Sequence, residues 1–247
     1  MSVLVEACVD SVASALAAER GGAGRLELCD NLNDGGTTPS AGMISAVKAA
    51  VRIPVFAIVR PRGGGFVYTT DEMSVMRLDI EAARMLGADG VVVGPLTRDA
   101  RIDVEQLRTL VDAAGELPVS FHRAFDLVRD QEQALEMLMQ CDVPRVLTSG
   151  GAATALEGVA AIASLVRRAA GQIAVMAGGG VREENVQEVV QRSGVRDVHV
   201  RGTRLVRAEM HGARESAKLR KALPSDETAW EETDERRVRE FVRLANA

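Results

Sequence analysis

Eight short apolar runs alternate with seven amphipathic windows along this chain, and that rhythm limits the fold more than any single motif does. The runs fall at 3–8, 25–29, 55–60, 90–94, 118–122, 145–148, 173–177 and 195–200. Most are rich in Val, Ile and Leu with little strict alternation, as parallel strands covered on both faces are. Between them lie windows at 11–20, 40–51, 70–86, 104–114, 131–141, 153–169 and 183–192, each with apolar residues three and four apart. Glycine closes several windows before the next run, as in "RMLGADGVVV" and "QRSGVRDVHV", the residue that a helix C-terminus favours. Eight repeats in 247 residues predict an α/β fold, a TIM (β/α)8 barrel, whose usual length is roughly 250 residues. An open doubly wound sheet is the runner-up. No composition break marks a sheet edge or a second domain, so the expectation is one domain over 1–247.

The barrel is expected to occupy 1–210, with an extra helical tail over 213–247. In "ETAWEETDERRVREFVRLANA", Val238, Phe241, Val242 and Ala245 recur at helical spacing. With Trp230 they suggest a closing helix packed on the barrel or on a second subunit.

Composition removes several classes of function. The net charge is −5 and aromatic residues make up 3% of the chain, which suits neither a nucleic-acid nor an anionic-membrane partner. No apolar run approaches the ~20 residues of a membrane span. The opening MSVLVEACVD lacks a basic start, and Glu6 interrupts its apolar stretch, so it does not read as a signal peptide. Three cysteines do not make a disulfide framework and are expected to be reduced thiols in a cytoplasmic protein. Of the three lysines, Lys48 lies in a helical window, and Lys218 and Lys221 lie near the C-terminus. None ends a strand, which argues against Schiff-base chemistry.

Ligands of such barrels bind where strands end, and the strand ends here are polar. The first two end in Glu6-Ala-Cys8 and Glu27-Leu-Cys29. Residues two apart share a strand face, so an inward face would bring two carboxylates and two thiols onto strands about 4.8 Å apart. Such thiolates suit a soft ion such as Cu(I); equally, they suit small buried hydrophobes. The third strand ends at Arg60-Pro-Arg62 before three glycines. These arginines suit a carboxylate or phosphate, or serve as structural partners of Glu6 and Glu27.

The fifth strand ends in "FHRAFD", which places His122, Arg123 and Asp126 together. A base, a fixed cation and a carboxylate at such an edge suit acid/base work or metal ligation. The sixth and seventh strands end at Ser149-Gly150-Gly151 and Gly178-Gly179-Gly180, where backbone N–H groups suit an anion. The eighth offers His199 and Arg201 on one face, while His211 falls in the expected tail as a surface residue.

Together these segments resemble the CutC family of copper-homeostasis proteins. The matching pieces are "EACVDS" at 6–11, "RLELC" at 25–29, "GGTTPS" at 35–40, "VRPRGG" at 59–64, "GADGVVVG" at 87–94, "FHRAFD" at 121–126, "LTSGGA" at 147–152 and "AGGGV" at 177–181. The resemblance implies a TIM barrel, a cytoplasmic copper-handling protein, a homodimer or homotetramer, and Cu(I) held by Cys8 and Cys29. The chain departs from the family at "VHVRGTR", where Val200 and Arg201 stand in place of small residues. Two functions follow as expectations. One is Cu(I) binding in copper homeostasis. The other is a lysine-independent enzyme, of isomerase or lyase type, acting on a small phosphate- or carboxylate-bearing substrate. In that reading Glu6, Glu27, His122, Asp126 and His199 are catalytic candidates. Arg60, Arg62, Arg123 and the two glycine loops hold the anion.

Overall fold

The structure is a computed structural model and describes residues 2–209 and 228–247. Strands β1 (Leu4–Val9), β2 (Arg25–Leu28), β3 (Val55–Ile58), β4 (Gly90–Val93), β5 (Val119–Phe121), β6 (Arg145–Thr148), β7 (Ala174–Ala177) and β8 (Asp197–Val200) follow one another around a closed parallel barrel. Between them run α1 (Val12–Arg20), α2 (Ala41–Ala50), α3 (Thr70–Met85), α4 (Val104–Ala114), α5 (Gln131–Gln140), α6 (Val159–Ala169) and α7 (Val186–Ser193). Most of these helices begin where a polar side chain accepts from a free backbone N–H: Ser11 caps α1, Thr69 and Glu72 form a reciprocal capping box on α3, and Asp130 caps α5.

Each strand sends alternate residues to two environments. Val5, Ala7, Leu26, Leu28, Val55, Ala57, Val91, Val93 and their counterparts join the large core between barrel and helices. The intervening residues point inward. There a small apolar cluster of Cys8, Cys29, Phe56, Ile58 and Val92 sits beside a buried ionic network. Arg25 is paired with Glu6 and, at 3.2 Å, with Asp197. Arg145 is 3.0 Å from Asp197 and donates to Ser120 at 3.4 Å. Both guanidiniums stack on Phe56, at 5.4 and 5.5 Å from its centroid. Charges removed from water need such partners. The barrel lumen therefore holds charged groups beside its apolar cluster, on strands buried on both faces as the sequence predicted.

The register places Glu6 opposite both Arg25 and His199, and Cys8 opposite Glu27. That alignment stacks the polar residues of β1, β2 and β8 on one side of the lumen.

The tail differs from the predicted helix. Its described part begins with β10 (Ala229–Thr233), which pairs antiparallel with β9 (Thr203–Arg207). Only then comes α8 (Glu235–Ala245). Val238, Phe241 and Ala245 are buried as predicted, whereas Trp230 lies on β10 and is 43% exposed. His211, Lys218 and Lys221 lie outside the described residues. Among the described residues no helix is long and apolar enough to cross a membrane.

Candidate functional site

A cavity of about 610 Å3 opens at the C-terminal ends of the strands. Its floor is a compact cluster of side chains from β1, β2 and β8. Cys8 Sγ and Cys29 Sγ are 3.7 Å apart, and Cys29 Sγ lies 3.6 Å from a Glu27 oxygen. Donor atoms of Cys8, Glu27 and Cys29 all fall within 4.8 Å of one another, and all three residues are buried. His199 closes the group: its Nδ1 is 2.8 Å from Glu6 and its Nε2 is 3.7 Å from Glu27. The four residues of the two Glu-x-Cys strand ends thus share the inward face, as the two-residue spacing predicted.

The charges of this floor are set by burial and by one another. Burial opposes ionisation of Glu6, but the His199 hydrogen bond and the Arg25 guanidinium outweigh it and hold the carboxyl at about 2. Burial pushes the Glu27 carboxyl up to about 8, against the pull of His199. The hydrogen bond from Cys29 brings the Cys8 thiol down to about 5 despite burial, and the same contact raises Cys29. Burial also opposes a charge on His199, but Glu27, Cys8 and Glu6 hold its imidazole well above the ordinary value. Within the floor Cys8 is biased toward the thiolate and His199 toward the imidazolium.

This donor set fits a soft metal ion. At a metal–sulfur distance of about 2.3 Å, two sulfurs on one ion lie at most about 4.6 Å apart, and the 3.7 Å pair is within that reach. Thiolates with an imidazole nearby select soft or borderline ions. A carboxylate on the far ring nitrogen of a histidine is the usual support for a ligating imidazole, and Glu6 stands there. Glu6 therefore lies one layer below the floor, deeper in the barrel than the mouth position its strand-end reading implied.

The "FHRAFD" segment is spread over three roles. His122 is 5% exposed and lines the cavity. Its Nδ1 accepts the Ala124 N–H at 3.2 Å, so its proton sits on Nε2, which has no partner. Burial and the Arg60 charge push its imidazole down to about 3. It is a neutral donor, and the nitrogen a base would use is already bonded. Gly94 makes room for it, since a Cβ there would overlap the ring.

Asp126 does not face the cavity. Its carboxylate accepts from Ser149 N at 2.9 Å, Gly151 N at 3.1 Å, Thr148 Oγ1 at 2.6 Å and Ser149 Oγ at 2.9 Å. It also accepts from Arg123 Nε at 2.7 Å. The expected anion loop at Ser149, Gly150 and Gly151 is thereby filled by the protein's own carboxylate. Arg123 lines the cavity but is tied to Asp126 and, at 2.9 Å, to Ser149 Oγ.

The other anion candidates divide. Arg60 is buried, lines the cavity and donates to the carbonyls of Asp34, Gly36 and Gly64 at 2.7–2.8 Å. Arg62 does not line the cavity; it is exposed and paired with Glu72. Gly179 and Gly180 line the cavity, both at positive φ, and Gly178 is spent on the Thr148 carbonyl. Arg201 reaches the rim but is paired with Glu231 at 2.6 Å.

Among the lining residues that the sequence did not single out, three bear on binding. Phe66 stacks on His122 at 4.9 Å and under Arg60 at 4.9 Å. Arg237 of α8 reaches the rim, held by Glu183 at 2.6 Å. Arg182 lies two residues beyond the last glycine of the 178–180 turn, a position that could have flagged it, whereas nothing local marks Phe66 or Arg237.

Comparison with known proteins places this geometry. The CutC family model matches residues 3–204. The chain is 46% identical over 242 residues to the copper homeostasis protein cutC homolog of Mus musculus, covering 98% of this chain and 89% of that one. The crystal structure of the copper homeostasis protein CutC from Streptococcus agalactiae superposes with a TM-score of 0.77 at 37% identity, covering 80% of this chain and 97% of that one. N-(5'-phosphoribosyl)anthranilate isomerase from Pyrococcus furiosus, at 19% identity and a TM-score of 0.60 over 98% of both chains, shares the fold alone.

Proposed function

This chain belongs to the CutC family, and on that premise we propose that it binds Cu(I) between Cys8 and Cys29 in cytoplasmic copper homeostasis. The observation that carries this reading is the buried thiol pair, 3.7 Å apart, with Glu27 completing a three-residue donor cluster. Cys8, already favouring the thiolate, and Cys29 would hold the ion. Glu27 stands as a further donor, the Nε2 of His199 joins it only on giving up its proton, and Glu6 orients His199 through Nδ1. A bound Cu(I) would supply a soft cation to a floor that otherwise balances a thiolate against an imidazolium. All three cysteines are free and buried, which suits a reducing compartment. X-ray absorption on the protein loaded with one equivalent of Cu(I) tests the reading. Two sulfur scatterers are expected; a first shell without sulfur would refute it.

A second reading is favoured by the cavity itself, which is far larger than an ion requires. In it the floor is the reacting end of a lysine-independent isomerase or lyase acting on a small anion. Incubation with small phosphate esters in deuterated water, followed by NMR, tests it: carbon-bound deuterium is expected, and its absence across the set would remove this reading.

A further inference from the structure

We propose that the barrel mouth binds a small phosphate ester bearing a carbonyl or carboxylate, gripped between two walls of unpartnered donors. This deepens the second reading but rests on the cavity alone, so it holds whether or not the bound molecule is turned over.

The first wall joins the ends of β3 and β5. Arg60 is 4% exposed and its guanidinium donates to three carbonyl oxygens, with no carboxylate partner among the described residues. Its Nε–H has no acceptor, and neither has the Nε2–H of His122. Both residues line the cavity and pack on the same Phe66 ring. A buried donor left unbonded is costly, and a buried cation without a counter-charge more so. Two such groups side by side call for an acceptor oxygen carrying negative charge.

The second wall is the turn after β7. The N–H groups of Gly179, Gly180 and Val181 have no acceptor among the described residues, and all three residues line the cavity. Gly179 packs against Arg123 so closely that a Cβ would lie 2.8 Å from the guanidinium carbon. Arg182 follows at the rim, exposed and with no ion pair among the described residues. The remaining cavity arginines are neutralised, Arg123 by Asp126, Arg201 by Glu231 and Arg237 by Glu183. Glu184 is the one acidic residue on this stretch of rim. Asp126 fills the neighbouring loop at 149–151, so this turn is the place left for an oxyanion.

In an eight-strand ring β3 and β7 lie on opposite sides. A ligand satisfying both walls must carry an oxyanion at one end and an acceptor at the other. A cavity of about 610 Å3 is of ordinary size for such a metabolite. The thiol floor lies beneath and is not needed for the grip.

The test uses the metal-free, reduced full chain with phosphoglycolate, glycolate and inorganic phosphate as probes, followed by calorimetry and 31P NMR. Phosphoglycolate is expected to bind, and about tenfold or more tighter than either single-ended probe, the worth of one charge-assisted hydrogen bond. Arg182→Ala, a surface change, should weaken it by about tenfold. The 15N shift of His122 Nε2 should move on binding, a readout that needs no variant to fold. The proposal is overturned if none of the probes binds, if inorganic phosphate binds as tightly as phosphoglycolate, if Arg182→Ala binds as wild type, or if the His122 signal stays fixed. Binding without deuterium exchange would sink the enzyme reading and leave this one standing.

Discussion

Replacing Asp126 by alanine should cost about 3–5 kcal/mol of stability, in the range for breaking a buried charged partner. The carboxylate accepts from two backbone N–H groups, Ser149 and Gly151, and from two hydroxyls, Thr148 and Ser149. Hydroxyls can turn to other acceptors; Ser149 Oγ already faces the Ala152 carbonyl at 2.6 Å. The two N–H groups cannot turn, and stranding them costs about 1–3 kcal/mol each. The Arg123 pair adds little, because that guanidinium is 43% exposed and water screens it. Urea unfolding of wild type and Asp126→Ala at equal pH measures the difference, with the slope expected unchanged. Formate should restore part of the loss by occupying the emptied loop. A loss below about 1 kcal/mol would refute the claim that this carboxylate holds the loop together.

Two further changes probe the floor. Burial pushes Glu27 up to about 8 in the folded chain against about 4.5 unfolded, so the native state holds the extra proton between those values and the Glu27 contribution to stability falls as pH rises through the window, opposite in sign to that of Cys8. Glu27→Gln should remove that contribution, so the variant gains about 1–3 kcal/mol on wild type between pH 5 and pH 8 in metal-free protein; thermal melts of both proteins in chelator at the two pH values check it, and a pH-independent difference counts against the assignment. Glu6→Gln should weaken Cu(I) binding by about 10–100-fold through loss of His199 orientation; competition against a chromogenic chelator measures it, and wild-type affinity would remove Glu6 from that role.

Much of this was legible in the chain. The eight apolar runs became the eight strands because burial against the helices demands an apolar outward face on every one. The Glu-x-Cys pairs became the floor because a strand repeats every two residues. The inward charges were harder to see: Arg25 and Glu27 also alternate on β2, but the partner Asp197 lies 172 residues away in sequence. Asp126 misled for the same reason. A carboxylate near glycine loops reads as chemistry until a fold brings Ser149 N to it across 23 residues. Arg60 was legible as an anion candidate, but its three contacts to loop carbonyls were not, because no side-chain pattern records them. The tail was read as helix from its apolar stripe, and the stripe is real in α8, but the strand before it depends on pairing with β9.

Cu(I) competition titration of the reduced wild-type protein and the Cys8→Ser/Cys29→Ser double variant tests most directly whether Cys8 and Cys29 together hold a soft metal ion. One equivalent bound by wild type, with affinity lower by about 100-fold or more in the variant, is the predicted result, since soft thiolates are what select Cu(I). Equal affinities in the two proteins would contradict it.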